Sequence, residues 1–277
     1  MLVIKIGGSD AINYESFLDD LAGFDDWILI HGGSHELDRI SEELGHPPRF
    51  VESVSGYTSR YTDEETVDLI NMVYPGKMNK FIVEELQKRG VNAFGFSGID
   101  GRVLECKRKS SLKIKKDGKK IVLRGEHSGI IKKVNKEPIE VMLKSGYSPV
   151  LTIPAITFDG TAVNVDGDRA AAEVAQAFSA EKLLLLSDVP GLLKDVEDET
   201  SLIERINRDQ IEEYKDKFAQ GRMKKKLLGA GEALDAGVGS VILGDGTAEN
   251  PVTNALSDEG TMISEKQGGH GDTNERL

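Results

Sequence analysis

The sequence predicts an α/β protein, a mainly parallel sheet with helices on both faces forming a three-layer αβα sandwich. Two observations carry this. Short apolar runs alternate along the chain with amphipathic helical stretches, the pattern of strands joined by crossover helices. The apolar runs are continuous, as in Leu183 to Leu186, which suits strands buried on both faces. A third observation locates the working edge. Glycine loops follow the first two runs, and α/β sheets bind ligands outside the carboxyl ends of their strands.

The elements follow in order. Strands are expected at 2–6, 27–31, 91–95, 148–152, 182–187 and 239–243. Helices are expected near 14–22, 35–44, 64–74, 77–89, 137–145, 168–178, 207–214 and 222–236. Asp117-Gly118 and Asp159-Gly160 interrupt the alternation, and Asp-Gly between strand-like runs predicts a hairpin turn. Thr62 and Glu65 fit a capping box that opens the helix after Tyr61. No internal repeat is visible. Residues 264–277 are polar and contain Gly268, Gly269 and Gly271, which reads as a flexible tail.

Composition narrows the class. The chain has 277 residues, 39% hydrophobic and 30% charged, enough for one large domain with a substantial core. It opens on an apolar strand without a secretory pattern, and no run reaches the length of a membrane span. Its single cysteine, Cys106, excludes an intrachain disulfide. A cytoplasmic location is expected. The net charge of −12 argues against general nucleic-acid binding.

That charge is unevenly spread. Residues 107–136 hold twelve basic and two acidic side chains, a net +10, and the rest of the chain is −22. The basic residues include Lys107, Arg108, Lys109, Lys113, Lys115, Lys116, Lys119 and Lys120. An acidic body with one basic segment implies a localised acidic partner.

Four motifs carry chemistry. Lys5 precedes Gly7, Gly8 and Ser9. A lysine beside a bulk-free backbone loop suits a phosphate, although an edge strand with a glycine turn gives the same letters. His31-Gly32-Gly33-Ser34 ends the second strand; a histidine beside a glycine turn is usually structural, and His31 receives no catalytic role. Asn164 to Asp168 precede a run of alanines, and either Asp166 or Asp168 suits a helix N-cap. The spacing lacks the closing glutamate of a calcium loop. Gly221-Arg222-Met223-Lys224-Lys225-Lys226 opens a helix with four cations, unfavourable against the helix dipole unless an anion binds. A solvated basic turn is the alternative. Arg60, just before a helix start, reads as an anion contact or a surface arginine. Ser187-Asp188-Val189-Pro190-Gly191 closes another buried strand with a turn that could face a nucleotide.

Together these pieces suit phosphoryl transfer, which needs charge stabilisation and positioning more than covalent chemistry. No general base stands out, and a carboxylate acceptor needs none.

Five ordered motifs, Lys5 to Ser9, His31-Gly32-Gly33, Arg60-Tyr61-Thr62-Asp63, Asn164 to Asp168 and Gly221-Arg222-Met223 with Lys226, resemble the amino acid kinase family, in particular its acetylglutamate kinase relatives. The likeness spans residues 1–263. It implies the amino acid kinase or carbamate kinase-like fold, an acceptor-binding lobe over about 1–168 and an ATP-binding lobe over about 169–263. It further implies that Lys5 and Lys226 hold the transferring group while Asp168 orients both. Gly7, Gly8, Gly32 and Gly33 would supply backbone donors, with Ser9 in the phosphate loop. Arg60 and Asn164 would grip the acceptor. Ser187, Asp188 and Gly191 would line the nucleotide site. Magnesium would ride on the ATP phosphates, with no protein ligand.

Gly56 to Thr66, with Lys107-Arg108-Lys109 and Arg124 to Gly129, resembles the subgroup acting on aminoadipate or glutamate bound to LysW, a small acidic carrier protein. The basic segment is then the docking face, since a small free acid such as acetylglutamate needs none. Relatives are commonly homodimers. Three departures from the pattern are Ser34, Gly167 and Arg222, where relatives often carry glycine, alanine and glycine.

Overall fold

The structure, a computed structural model, describes residues 1–54, 56–116 and 119–265, the side chain of Lys116 excepted. The chain opens with β1 (Leu2–Ile6), α1 (Tyr14–Leu21), β2 (Trp27–His31) and α2 (Ser34–Glu43). A short hairpin, β3 (Phe50–Glu52) and β4 (Thr58–Arg60), precedes α3 (Glu64–Asn71) and α4 (Asn79–Lys88). Next come β5 (Ala93–Ser97), the long hairpin of β6 (Leu104–Lys116) and β7 (Lys119–Val134), and α5 (Glu137–Lys144). After β8 (Ser148–Thr152), β9 (Ala155–Thr157) and β10 (Ala162–Val163) form a second hairpin. The remainder runs α6 (Gly167–Ala177), β11 (Lys182–Ser187), β12 (Arg205–Asn207), α7 (Ile211–Lys217), α8 (Gly221–Asp235), β13 (Ser240–Asp245), α9 (Pro251–Leu256) and β14 (Thr261–Ser264).

Among the described residues the main sheet has eight strands in the order β12-β14-β13-β11-β1-β2-β8-β5. From β13 to β5 all pairs are parallel; β14 turns antiparallel to β13. The strand side chains divide between two cores. Val3, Ile28, Ile30, Leu183, Leu185, Val241 and Leu243 join one. Ile4, Ile6, Leu29, Leu184, Leu186 and Ile242 join the other. That is the period-2 alternation of strands covered on both faces. The fold is thus mixed α/β with a large, mostly parallel sheet.

Chain order reverses beside β1, which pairs with β2 on one side and with β11 on the other. This is the topological switch point where such sheets open a ligand crevice.

Some elements differ from expectation. The helix expected over 64–74 ends at Asn71 and continues as a wide π-type turn, Met72–Met78, around Pro75; a proline supplies no N–H and crowds the preceding turn. The expected capping box is shifted by one residue. Asp63, not Thr62, caps α3 by accepting from Thr66 N–H at 2.9 Å. Ser264, expected in the tail, closes β14 opposite Ser240. The remaining tail, 266–277, and the turn Asp117-Gly118 lie outside the described residues. β3, β4, β12, β14 and α9 had no counterpart in the sequence reading.

Candidate active site

Lys5 lies near the end of β1, on the same side as Val3. Past it the chain loses side chains because the backbones nearly touch. A Cβ on Gly8 would come within 2.2 Å of the Gly33 nitrogen, a distance no side chain tolerates. The two glycine loops thus lie against each other at the crevice. Not all their amides are free. Gly7 N–H donates to Leu186 O at 2.9 Å and Gly32 N–H to Ile6 O at 3.1 Å, which corrects the expectation that these two supply free backbone donors. Among the described residues Gly8, Gly33 and Ser34 have amides without a protein acceptor. Ser34 keeps the loop closed, its hydroxyl donating to Gly8 O at 3.2 Å. Ser9 makes local contacts among the described residues, with Asp10 and with the amides of Ala11 and Ile12.

Asp166 is the N-cap of α6, accepting from the amides of Asp168 and Arg169 at 3.0 and 3.1 Å. This frees Asp168, in the first turn, for the crevice. Its Oδ1 is 2.6 Å from Lys5 Nζ and its Oδ2 is 2.9 Å from Lys226 Nζ. The three side chains are 12%, 15% and 8% exposed in the order Lys5, Asp168, Lys226. Burial alone would raise the Asp168 pKa, but Lys226 and Lys5 outweigh it and hold the carboxyl far below the ordinary range. Burial, with Lys5 adding, lowers the Lys226 pKa. Two ammoniums on one carboxylate leave a net positive charge in the crevice, on a strand that runs directly into the first glycine loop.

Arg60, 9% exposed, pairs with Asp38 of α2 at 2.5 Å and stacks over the Phe50 ring at 4.9 Å. Asn164 donates from Nδ2 to Thr62 Oγ1 at 3.0 Å, and Thr62 is fully buried. The Arg60–Thr62 segment is therefore joined to Asn164 directly. Sequence reasoning missed Asp38, Thr62 as a partner of Asn164, and Lys225. Lys225 donates to Thr58 O at 2.7 Å, tying α8 to β4. Only Lys225's neighbourhood to Lys226 hinted at this.

His31 is buried, with Nδ1 2.8 Å from Gly32 O and Nε2 3.1 Å from Asn79 Nδ2. Burial pushes its pKa down to about 4, and it serves as a neutral structural link.

On the far side, Ser187 ends β11 and is buried, while Asp188 is exposed. Gly191 is buried, and a Cβ there would reach 2.5 Å from Thr261 Oγ1, which accepts from Leu192 N–H at 2.8 Å. A cavity of about 340 Å³ adjoins this turn, lined by Pro190, Leu202, Asp245 and Gly260 among others.

The basic segment forms the β6–β7 hairpin. Lys107, Lys109, Lys113 and Lys115 share one face of β6, and Lys120 stands opposite Lys115. All five, with Lys119, are exposed. Among the described residues these six form no ion pair. Arg108 differs, its Nε donating to Glu126 O at 2.9 Å. Val54 N–H donates to Lys113 O at 3.1 Å, so the hairpin leans on the β3–β4 unit that carries Arg60.

Residues 1–245 match the amino acid kinase family. A [LysW]-aminoadipate kinase of Deinococcus radiodurans is 55% identical over 270 residues, covering 95% of this chain and 91% of that one. A [LysW]-aminoadipate kinase of Thermus thermophilus is 46% identical, covering 95% and 100%. Among solved structures, an N-acetylglutamate synthase from Neisseria gonorrhoeae complexed with coenzyme A and N-acetyl-glutamate superposes with a TM-score of 0.76 at 23% identity. That alignment covers 96% of this chain and 59% of the synthase, and it shows the shared fold.

Proposed function

The chain belongs to the amino acid kinase family, and we propose that it phosphorylates the distal carboxylate of aminoadipate carried on LysW, using ATP and yielding an acyl phosphate for lysine biosynthesis. The observation that carries the chemistry is the Lys5–Asp168–Lys226 bridge, two cations held by one buried carboxylate beside free glycine amides. The relatives that are 55% and 46% identical carry the same activity in their names.

The roles follow from charge. An acceptor carboxylate is already ionised at neutral pH and attacks without a base. One of its oxygens bonds to the γ-phosphorus while the bond to the β–γ bridging oxygen breaks, and that electron pair leaves with ADP. Lys5 and Lys226 take the charge of the transferring group from two sides, and Asp168 fixes their positions without taking a proton. The Gly8 and Gly33 amides face the same group. Arg60 and Asn164 hold the acceptor's remaining polar atoms. Ser187, Asp188 and the Gly191 turn border the nucleotide, in a C-terminal lobe from about residue 169. Magnesium, when bound, neutralises the ATP phosphates.

The exposed lysines of β6 and β7 suit docking of an acidic carrier. The face beside β5 suits a homodimer. There the outer edge of β5, without a strand partner among the described residues, adjoins the exposed apolar residues Phe94, Val141 and Tyr147. A cytoplasmic location fits this pathway.

The test is ATP turnover with LysW–aminoadipate, LysW–glutamate and free N-acetylglutamate side by side. Turnover confined to carrier-bound acceptors, with aminoadipate ahead, is expected. Comparable turnover of the free acid would overturn the carrier reading.

A further inference from the structure

Glu126 sits where β7 bulges, midway along the long hairpin. Lys109 pairs with Ser128 and Ser111 with Arg124, so Gly125, Glu126 and His127 stand opposite Ser110 alone. Gly125 adopts φ +78°, a conformation a side chain would strain. The Tyr61 hydroxyl donates to Arg124 O at 2.7 Å beside it. The bulge is sewn to the acceptor residues. His127 N–H donates to Thr62 O at 2.7 Å, Asn164 N–H to His127 O at 2.8 Å and Gly129 N–H to Asn164 O at 2.8 Å.

Bulges re-aim side chains, and here the re-aimed one is a carboxyl that is 1% exposed. Burial is the largest influence and raises its pKa, while the Ser128 hydroxyl and amide, the Thr62 amide and Lys109 favour the charged form. A carboxyl, with two oxygens able to accept, suits that set. Among the described residues its Oε2 has no hydrogen-bond partner, a costly arrangement that a purely packing role would replace with an apolar side chain. The phosphoryl-transfer steps do not use it.

We propose that Glu126 is a positioning residue that, from the middle of the basic hairpin, holds the Thr62 segment against Asn164 and so sets where the acceptor lies. This rests on reading the Arg60–Asn164 side of the crevice as the acceptor site, and not on which acceptor is used.

Glu126→Gln keeps the volume but removes the charge and exchanges one of the two acceptor oxygens for an N–H₂ donor. Its KM for LysW–aminoadipate is expected to rise about tenfold, with the KM for ATP within about twofold. Its melting temperature is expected to stay within a few degrees of the parent. Glu126→Asp, charged but one methylene short, is expected to give a smaller rise and carries the same comparison if the glutamine variant does not fold. Calorimetric affinity for the acceptor needs no turnover and should fall in the same ratio. An unchanged acceptor KM and affinity, or acceptor and ATP values that worsen together, overturns the proposal. Free N-acetylglutamate is measured alongside. A parent enzyme that uses only the free acid overturns the carrier reading, while Glu126 is still judged on that acid.

Discussion

The buried triad and the exposed hairpin are both cationic, yet they differ in how the charge is held. In the triad, Lys5 and Lys226 are 12% and 8% exposed and locked on Asp168 at 2.6 and 2.9 Å. On the hairpin, Lys113, Lys115 and Lys120 stand in solvent. Buried charge acts strongly over a few ångströms and is little affected by salt. Exposed charge acts over the Debye length, about 8 Å at physiological ionic strength, and costs little to display. The first arrangement suits chemistry on a transferring group, and the second suits recruitment of a partner.

The largest effect expected from this contrast is at the triad. Lys226→Ala or Lys5→Ala should lower kcat by about a thousandfold, comparable to loss of a preorganised transition-state donor. Steady-state kinetics should show the KM for ATP changing far less, and added salt should not alter the ratio to the parent. A variant with parental turnover would remove that lysine from the mechanism.

Asp168 sharpens the same side. Asp168→Asn leaves two buried lysines without their counter-charge and should cost about 3–5 kcal/mol of stability near neutrality. The pH dependence has a definite sign. The Asp168 pKa is lowered in the folded state. Its contribution is therefore complete above the unfolded value of about 4 and is lost as pH falls through the folded value. Denaturation followed from pH 7 downward should show the parent converging on the variant in strong acid; parallel curves would mean that the bridge does not support the fold.

The hairpin should respond less and in a different parameter. Reversing Lys113, Lys115 and Lys120 to glutamate should lower kcat/KM for the carrier-bound acceptor by about tenfold to a hundredfold at low salt. The deficit should shrink as salt rises, and nucleotide binding should be unchanged. A salt-independent deficit would place these lysines in the fold and not in docking.

Much of this contrast was legible in the sequence, for different reasons. The strands carrying Lys5 and the glycine loops are continuous apolar runs, and periodicity reads those well. The +10 segment needs only counting. What was hidden depends on partners distant in sequence. Gly7 and Gly32 looked like free donors because nothing local shows that Leu186 O and Ile6 O accept their amides. Thr62 looked like a helix cap because Thr-x-x-Glu fits a capping box; its burial against Asn164, a hundred residues on, moved the cap to Asp63. Strands as short as Arg205–Asn207 and Thr261–Ser264 carry too few residues for a period, and pairing at the sheet edge decides them.

The smallest expected effect tests whether the triad is truly rigid. Gly167 is the first residue of α6, directly after its Asp166 cap. A Cβ there would meet Lys5 Cε at 3.6 Å, ordinary van der Waals contact. Gly167→Ala should therefore stabilise slightly, by about 0.4–1 kcal/mol through the reduced freedom of the unfolded chain, raising the melting temperature by about 1–4 °C. With Lys5 already held on Asp168, the added methyl only fills space beside the stem, and kcat should stay within about twofold. A loss of tenfold or more, with the melting temperature raised as expected, would mean that the Lys5 stem sweeps through that space during transfer. The triad would then be a moving clamp, and its difference from the solvated hairpin would lie in burial without rigidity.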